Sequence, residues 1–177
     1  MKEITNPSED FNRDGVIIYV DGACQGNGNV GASNIGGWGA ILTFNNGEIV
    51  ELHGAYHPTT NNRMELMAAI KALTLLEVPR NVNIYSDSKY VITGITKWIV
   101  SWKAKNWCHR RKHPIKNIDL WKELDALNSR HNVNWVWVKG HSGNAGNERA
   151  DELANLGITE YKERNSLLSV HQEFHIS

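Results

Sequence analysis

Four carboxylates and one histidine stand where this 177-residue chain could do chemistry with them. Asp21 follows the apolar, β-branched run Val16–Val20, and Asp87 follows Val82–Tyr85, so two acids close two expected strands. In open α/β sheets, ligands collect beyond the carboxyl ends of strands. Glu65 falls in the first turn of an expected helix between those strands, and Asp151 in a helix further on. Each acid also has a plain structural duty to hand. Asp21-Gly22 is a turn dipeptide, Asp87 can cap the next helix, Glu65 stands three residues after Asn62 as in a capping box, and Asp151 shares a charged face with Glu148 and Glu152. His141, between Gly140 and Ser142-Gly143, is expected on a loop.

Convergence decides between these readings. Two carboxylates about 4 Å apart repel by about 4 kcal/mol at an effective dielectric near 20. A cluster of several is therefore costly unless divalent cations sit among them. All-oxygen donors select hard ions such as Mg²⁺ or Mn²⁺ over zinc. Two such ions can activate a water and stabilise the leaving oxygen in phosphodiester hydrolysis.

The elements that would position these groups follow from local pattern. After Val16–Val20 comes Gly-rich sequence, Gly26–Gly37, then two strands, Trp38–Phe44 and Ile49–Tyr56, joined by the hairpin signal Asn45-Asn46-Gly47. Thr59–Asn62 supplies caps for a helix with Leu66, Ala69, Ile70, Leu73 and Leu76 at helical spacing, and Pro79 lies just past its end. Ser86-Asp87-Ser88 can start a helix running to about Ile95. Asp119–Asn128 reads as a helix, Val133–Val138 as a strand, and Asn147–Leu156 as a helix stopped by Gly157. The order predicts an α/β fold, a mixed sheet flanked by helices. One domain over 15–157 is expected, with tails at 1–14 and 158–177.

Charge is unevenly spread under a neutral total of nineteen basic and nineteen acidic residues. Met1–Asp87 holds five basic and ten acidic residues, Ser88–Ile118 eight basic and none acidic, and Asp119–Ser177 six basic and nine acidic. The middle stretch is also rich in Trp, and such charge asymmetry says more about partners than the neutral sum does. Trp121, Trp135 and Trp137 are expected to be partly core. Cys24 and Cys108 lie outside any CxxC spacing, no apolar run approaches the ~18 residues of a membrane span, and the polar start is no signal peptide. A soluble cytoplasmic protein without membrane association is expected.

Several ordered segments resemble the cellular type 1 ribonuclease H family, close to its bacterial members. They are Tyr19-Val20-Asp21-Gly22-Ala23-Cys24, Gly36–Leu42, Thr59–Ala69 with its Thr-Thr-Asn-Asn-Arg-Met-Glu core, Tyr85–Ser88, Lys116–Trp121, Trp135–Gly143, and Asn147–Ala154. The resemblance runs from about Val16 to Leu156. It implies a ribonuclease H-like fold with a five-stranded sheet and a basic helical protrusion. The implied enzyme is a metal-dependent endonuclease that hydrolyses the RNA strand of RNA/DNA hybrids, leaving 5′-phosphate and 3′-hydroxyl ends.

By that resemblance Asp21, Glu65, Asp87 and Asp151 hold two Mg²⁺ ions, with Mn²⁺ as a substitute, and His141 assists proton movement and product departure. Asn61, Asn62 and the backbone around Cys24 contact the RNA 2′-hydroxyls, the group that tells RNA from DNA. Thr60 and Asn117 grip a phosphate of the DNA strand. Tyr90, Trp98 and Trp102 line a DNA channel beside Lys97, Lys103, Lys105, Arg110, Arg111, Lys112 and Lys116. A monomer is expected.

Three features depart from the family pattern: a longer loop at 26–37, Lys89 in place of a Gln, and Pro58 in place of a basic residue. A different nuclease of the same fold and a non-catalytic hybrid-binding module are the alternatives. The Asn61-Asn62 and basic segments argue against the first, and the complete set of four acids against the second.

Overall fold

The computed structural model describes residues 15–26, 34–108 and 113–173, the last five as backbone only. Most of the loop at 26–37, and Arg110, Arg111 and Lys112, lie outside the described residues. Five strands form one mixed sheet: β1 (Gly15–Cys24), β2 (Gly36–Phe44), β3 (Ile49–Tyr56), β4 (Asn81–Ser86) and β5 (Asn132–Trp137). Their spatial order is β3-β2-β1-β4-β5. The first three form an antiparallel meander, and β4 and β5 add in parallel to the other edge of β1. The expected α/β architecture and five-stranded mixed sheet are thus present.

Parallel strands need long crossovers, and helices supply them. Helix α1 (Asn61–Leu75) connects β3 to β4. A second helical run joins β4 towards β5, made of α2 (Lys89–Thr93), a π-helical turn (Gly94–Trp98) and α3 (Ile99–Ala104). It continues well past the expected end near Ile95. Helix α4 (Ile118–Arg130) precedes β5, and α5 (Ala145–Glu173) closes the fold.

Helices cover both faces of the sheet. On β2 the space beside Gly36 is filled by Met64 of α1, and that beside the next residue, Gly37, by Ala154 of α5. The alternation of β1 turns Val16, Ile18 and Val20 into a core completed by Leu66, Ile70 and Leu73 of α1 and by Leu42, Ile84, Leu124 and Trp121. Trp121, expected to be partly core, is wholly buried. On the outer side of the parallel pair, Asn132 and Asn134 donate side-chain amides to Asn81 and Asn83, 3.0 Å each.

The expected helix stop at Gly157 is corrected. Helix α5 passes through Gly157 and runs on to Glu173, so Ile158 is no tail residue but is buried. Packing explains the difference. A Cβ at Gly157 would lie 2.3 Å from the carbonyl oxygen of Gly54, so this glycine is there to let the helix touch β3. Glycine costs a helix about 1 kcal/mol relative to alanine, a loss that burial of one large side chain such as Ile158, worth about 1.5–3 kcal/mol, offsets.

Gly157→Ala should therefore destabilise the protein despite the better helix former. Overpacking against backbone costs about 1–3 kcal/mol, against about 1 kcal/mol of propensity gained. A melting temperature lowered by a few degrees in a thermal unfolding scan is expected; an unchanged or raised one would contradict the close approach of helix and strand.

Candidate active site

Asp21 does not sit in a turn. Strand β1 continues to Cys24, with Asp21 paired to Gly39 and Gly22 to Trp38. Gly22 matters because of what lies over it: a Cβ there would be 2.4 Å from the backbone nitrogen of Glu65. The absent side chain lets the first turn of α1 rest on β1, and this sets Glu65 against Asp21. The capping box expected from Asn62 and Glu65 is also corrected. The cap is Thr60, whose hydroxyl accepts the Arg63 N–H at 3.3 Å, and Glu65 turns inward, 4% exposed.

Asp87 leaves β4 directly, and the cap of α2 is the next residue, Ser88, which accepts the Val91 N–H at 3.2 Å. Asp87 is thereby relieved of capping. Its Oδ2 accepts from the side-chain amide of Asn147, a buried residue in the first turn of α5, at 3.3 Å. Asp21, Glu65 and Asp87 each bring a carboxylate oxygen within 4.8 Å of the others.

Asp151 is not among those three. It is half-buried on α5, and its carboxylate accepts from the Asn155 amide of the next turn at 3.3 Å. Its charge is nonetheless near enough to help raise the pKa of Asp21. His141 is exposed, with φ +53°, on the loop after β5. That loop lies on the triad, because a Cβ at Gly140 would be 2.6 Å from Asp87 Oδ2.

The electrostatics are those of acids held together against their repulsion. Burial, then the neighbouring charge of Asp87, pushes Asp21 from an ordinary 3.8 up to about 7. Glu65, more deeply buried and hydrogen-bonded to Asp21, is raised well above its ordinary value. Both acids are thus held above the ordinary carboxylate range, Glu65 by the deeper burial. Glu65 Oε2 has no hydrogen-bond partner although it is buried. An orphaned carboxylate oxygen beside two further acids fits a hard divalent cation, which takes oxygen ligands and offsets their repulsion.

Comparison with known proteins agrees with this geometry. The RNase H family model matches residues 13–159. The chain belongs to the RNase H family. It is 57% identical over 145 residues to the Ribonuclease H of Francisella tularensis subsp. novicida (strain U112), covering 82% of this chain and 91% of that one. It is 56% identical over 148 residues to the Ribonuclease H of Francisella philomiragia subsp. philomiragia, covering 84% and 93%. Among solved structures it is similar to LC9-RNase H1, a type 1 RNase H with the type 2 active-site motif, at TM-score 0.74 and 32% identity over 83% of this chain and 73% of that one. A foamy viral protease-reverse transcriptase in complex with RNA/DNA hybrid shares the fold at TM-score 0.71 and 21% identity, over 89% of this chain and 21% of that one.

The other RNase H positions singled out from sequence fall into two groups. Cys24 ends β1, and its thiol points at the Thr59 carbonyl (3.7 Å), so it adjoins Thr60, Asn61 and Asn62 at the start of α1. Beyond Arg63 and Asn117, Tyr90, Trp98, Trp102 and Lys116 line a hollow of about 350 Å³. Trp98 and Trp102 stand 6.0 Å apart by ring centre, and the Tyr90 hydroxyl accepts from Asn117 (3.0 Å) and Trp121 (3.1 Å). Lys105 is exposed, whereas Lys103 pairs with Asp125 at 3.1 Å.

Some residues escape a sequence reading. Arg63 donates to Asn117 at 3.2 Å and to both oxygens of Asp119 at 3.0 and 2.8 Å, tying α1 to α4. Trp137, expected to be partly core, is 44% exposed. Its indole N–H donates to the Asp87 carbonyl at 3.1 Å, and the Lys89 ammonium stands 5.1 Å over its ring. Nothing local in the sequence predicts these partners, since each is about fifty residues away.

The raised acids predict a pH dependence with a definite sign. An acid whose folded pKa lies above its unfolded one favours folding at low pH and loses that contribution as pH rises through the folded value. Without divalent cations, the melting temperature should fall between about pH 4 and pH 7, the window bounded by the ordinary 3.8 and the raised value of Asp21. Mg²⁺ should reverse the fall at neutral pH, and Asp21→Asn should raise the cation-free melting temperature at pH 8 by a few degrees. A flat profile, the same in parent and variant, would argue against the shared burial of these charges.

Proposed function

We propose that the chain is an endonuclease that hydrolyses the RNA strand of RNA/DNA hybrids with little sequence preference, leaving 5′-phosphate and 3′-hydroxyl ends. The observation that carries this reading is the Asp21–Glu65–Asp87 triad, buried at Asp21 and Glu65, with its orphaned Glu65 oxygen, in a chain of the RNase H family. Those three residues, with Asp151, would hold two Mg²⁺ ions, Mn²⁺ being a substitute, and the ions would supply an activated water and stabilisation of the leaving oxygen.

The protein's own groups do the rest. Asn147 holds the Asp87 carboxylate in place beside Asp21 and Glu65, whose burial opposes their carrying charge until a cation offsets it. His141, exposed at the rim on the loop that rests on Asp87, assists proton movement and product departure. Asn61 and Asn62, beside the backbone at Cys24, test for 2′-hydroxyls. The Thr60 hydroxyl accepts from Arg63 and so keeps its own hydrogen for a phosphate of the DNA strand. Asn117 likewise retains one amide hydrogen after donating to Tyr90.

The hollow of Tyr90, Trp98, Trp102 and Lys116 takes the DNA strand, with Lys103, Lys105, Arg110, Arg111 and Lys112 contributing positive charge. Among the described residues no helix is long and apolar enough to cross a membrane. A monomer acting in the cytoplasm on its hybrid completes the proposal.

The decisive experiment offers end-labelled hybrid, double-stranded RNA and double-stranded DNA with Mg²⁺ or Mn²⁺. Cleavage of the RNA strand of the hybrid alone is expected; no cleavage with either ion would sink the reading. Asp87→Asn should lose turnover by about 100-fold or more, the scale of removing one group that stabilises developing charge, while still binding hybrid. Replacing Lys105 and Lys116 by Ala should weaken hybrid binding and flatten its salt dependence, by a log–log slope of about 0.9 for each phosphate that is no longer neutralised. An unchanged slope would make these lysines mere solvated charges.

A further inference from the structure

The family model ends at residue 159, whereas α5 continues to Glu173. The first three residues past that boundary each reach a different part of the fold. Glu160 pairs with His53 of β3 at 2.9 Å. The Tyr161 ring lies 6.2 Å from that of His57, ahead of the Thr60 cap. The Lys162 ammonium donates to the side-chain carbonyl of Gln25, just past the end of β1.

Glu160 and Lys162 lie about 200° apart around the helix, so α5 spans the end of β2 and holds the strands on either side of it. The segment it holds is cross-tied in turn. Gln25 N–H donates to the Ile35 carbonyl (3.0 Å), Thr59 N–H to the Asn34 carbonyl (3.1 Å), and the Cys24 thiol to the Thr59 carbonyl (3.7 Å). These ties place Cys24 and the first turn of α1 relative to each other. An exposed hydrogen bond such as Lys162–Gln25 adds little to global stability, so its consequence is local geometry.

We propose that the part of α5 beyond residue 159 is a positioning element for RNA-strand recognition, with Lys162 a positioning residue that acts through Gln25 on the exit of β1. The inference rests on the proposed function, because the edge it positions is the one assigned to the 2′-hydroxyls. Without that tie, Gln25 is held less firmly, and the spacing between the backbone at Cys24 and the Asn61-Asn62 amides is less tightly fixed. Binding of the hybrid then includes the cost of ordering them.

The test measures hybrid affinity in the cleavage-deficient Asp87→Asn background of the full chain, so that it is independent of turnover. Lys162→Ala and Gln25→Ala should each raise Kd about 3–10-fold, the scale of ordering one side chain at an interface. The double variant should be no worse than either single one, as expected for one shared hydrogen bond. Lys162→Arg should restore affinity, and the melting temperature and salt slope should match the parent.

Unchanged affinity, additive losses, or a salt slope reduced by about 0.9, the share of one neutralised phosphate, would overturn the proposal. The last of these would make Lys162 a direct ligand of the nucleic acid. Failure of the unmutated chain to cut hybrid would sink the functional reading alone. Failure to bind hybrid at all would sink both.

Discussion

Mutual repulsion among clustered carboxylates, two of them buried, is the constraint around which this molecule is organised. Left to themselves, Asp21, Glu65 and Asp87 would move apart or into water. The fold denies them both, because each is fixed by an element that has other reasons to be where it is. Strand β1 is central in the sheet, β4 pairs with it in parallel, and α1 is pressed onto β1 at Gly22. Burial that would be a defect elsewhere becomes stored affinity for a positive ion. The hydrophobic core below the site, from Val20 to Leu73, is therefore also the frame that holds like charges together.

A second organising feature lies beside Trp121. This buried indole supports the Tyr90, Trp98 and Trp102 rings at centre distances of 5.3, 6.4 and 5.6 Å. The exposed aromatic surface is thus the outer layer of a packed cluster rather than a set of independent side chains. Arg63 and Asn117 join that cluster to the helix that carries Glu65. The basic and acidic parts of the chain, separated in sequence, are connected through one hydrogen-bonded seam. Net neutrality describes neither part.

Much of this was legible in the sequence, for reasons that can be stated. Short β-branched runs followed by acids mark β1 and β4, although β1 runs on past Asp21 to Cys24, and helical spacing from Leu66 to Leu76 marks α1. What sequence does not carry is which of two neighbouring capping residues wins, or what a glycine faces. Thr60 rather than Asn62 caps α1 because the helix begins early enough to turn Glu65 inward. Gly157 reads as a helix stop only until Gly54 is seen against it. Asp151 stands one step outside the triad, with one carboxylate oxygen accepting from Asn155 and its charge still acting on Asp21. Trp137 alternates with Trp135 as a core residue would, but it lies on the last residue of an edge strand, where the sheet no longer covers it.

The asparagine pairs on the outer side of β4 and β5 have a consequence for assembly. Strands that must find each other across fifty-one residues do so late and at the risk of misalignment. A slip of one residue would turn Val82 and Ile84 out of the core and face each amide with the wrong neighbour. A slip of two would restore the alternation but leave one amide rung, with either Asn81 and Asn134 or Asn83 and Asn132 unmatched. The two amide rungs thus distinguish the correct alignment from the one error that hydrophobic patterning alone would accept. They act as a proofreading key on the strand that delivers Asp87.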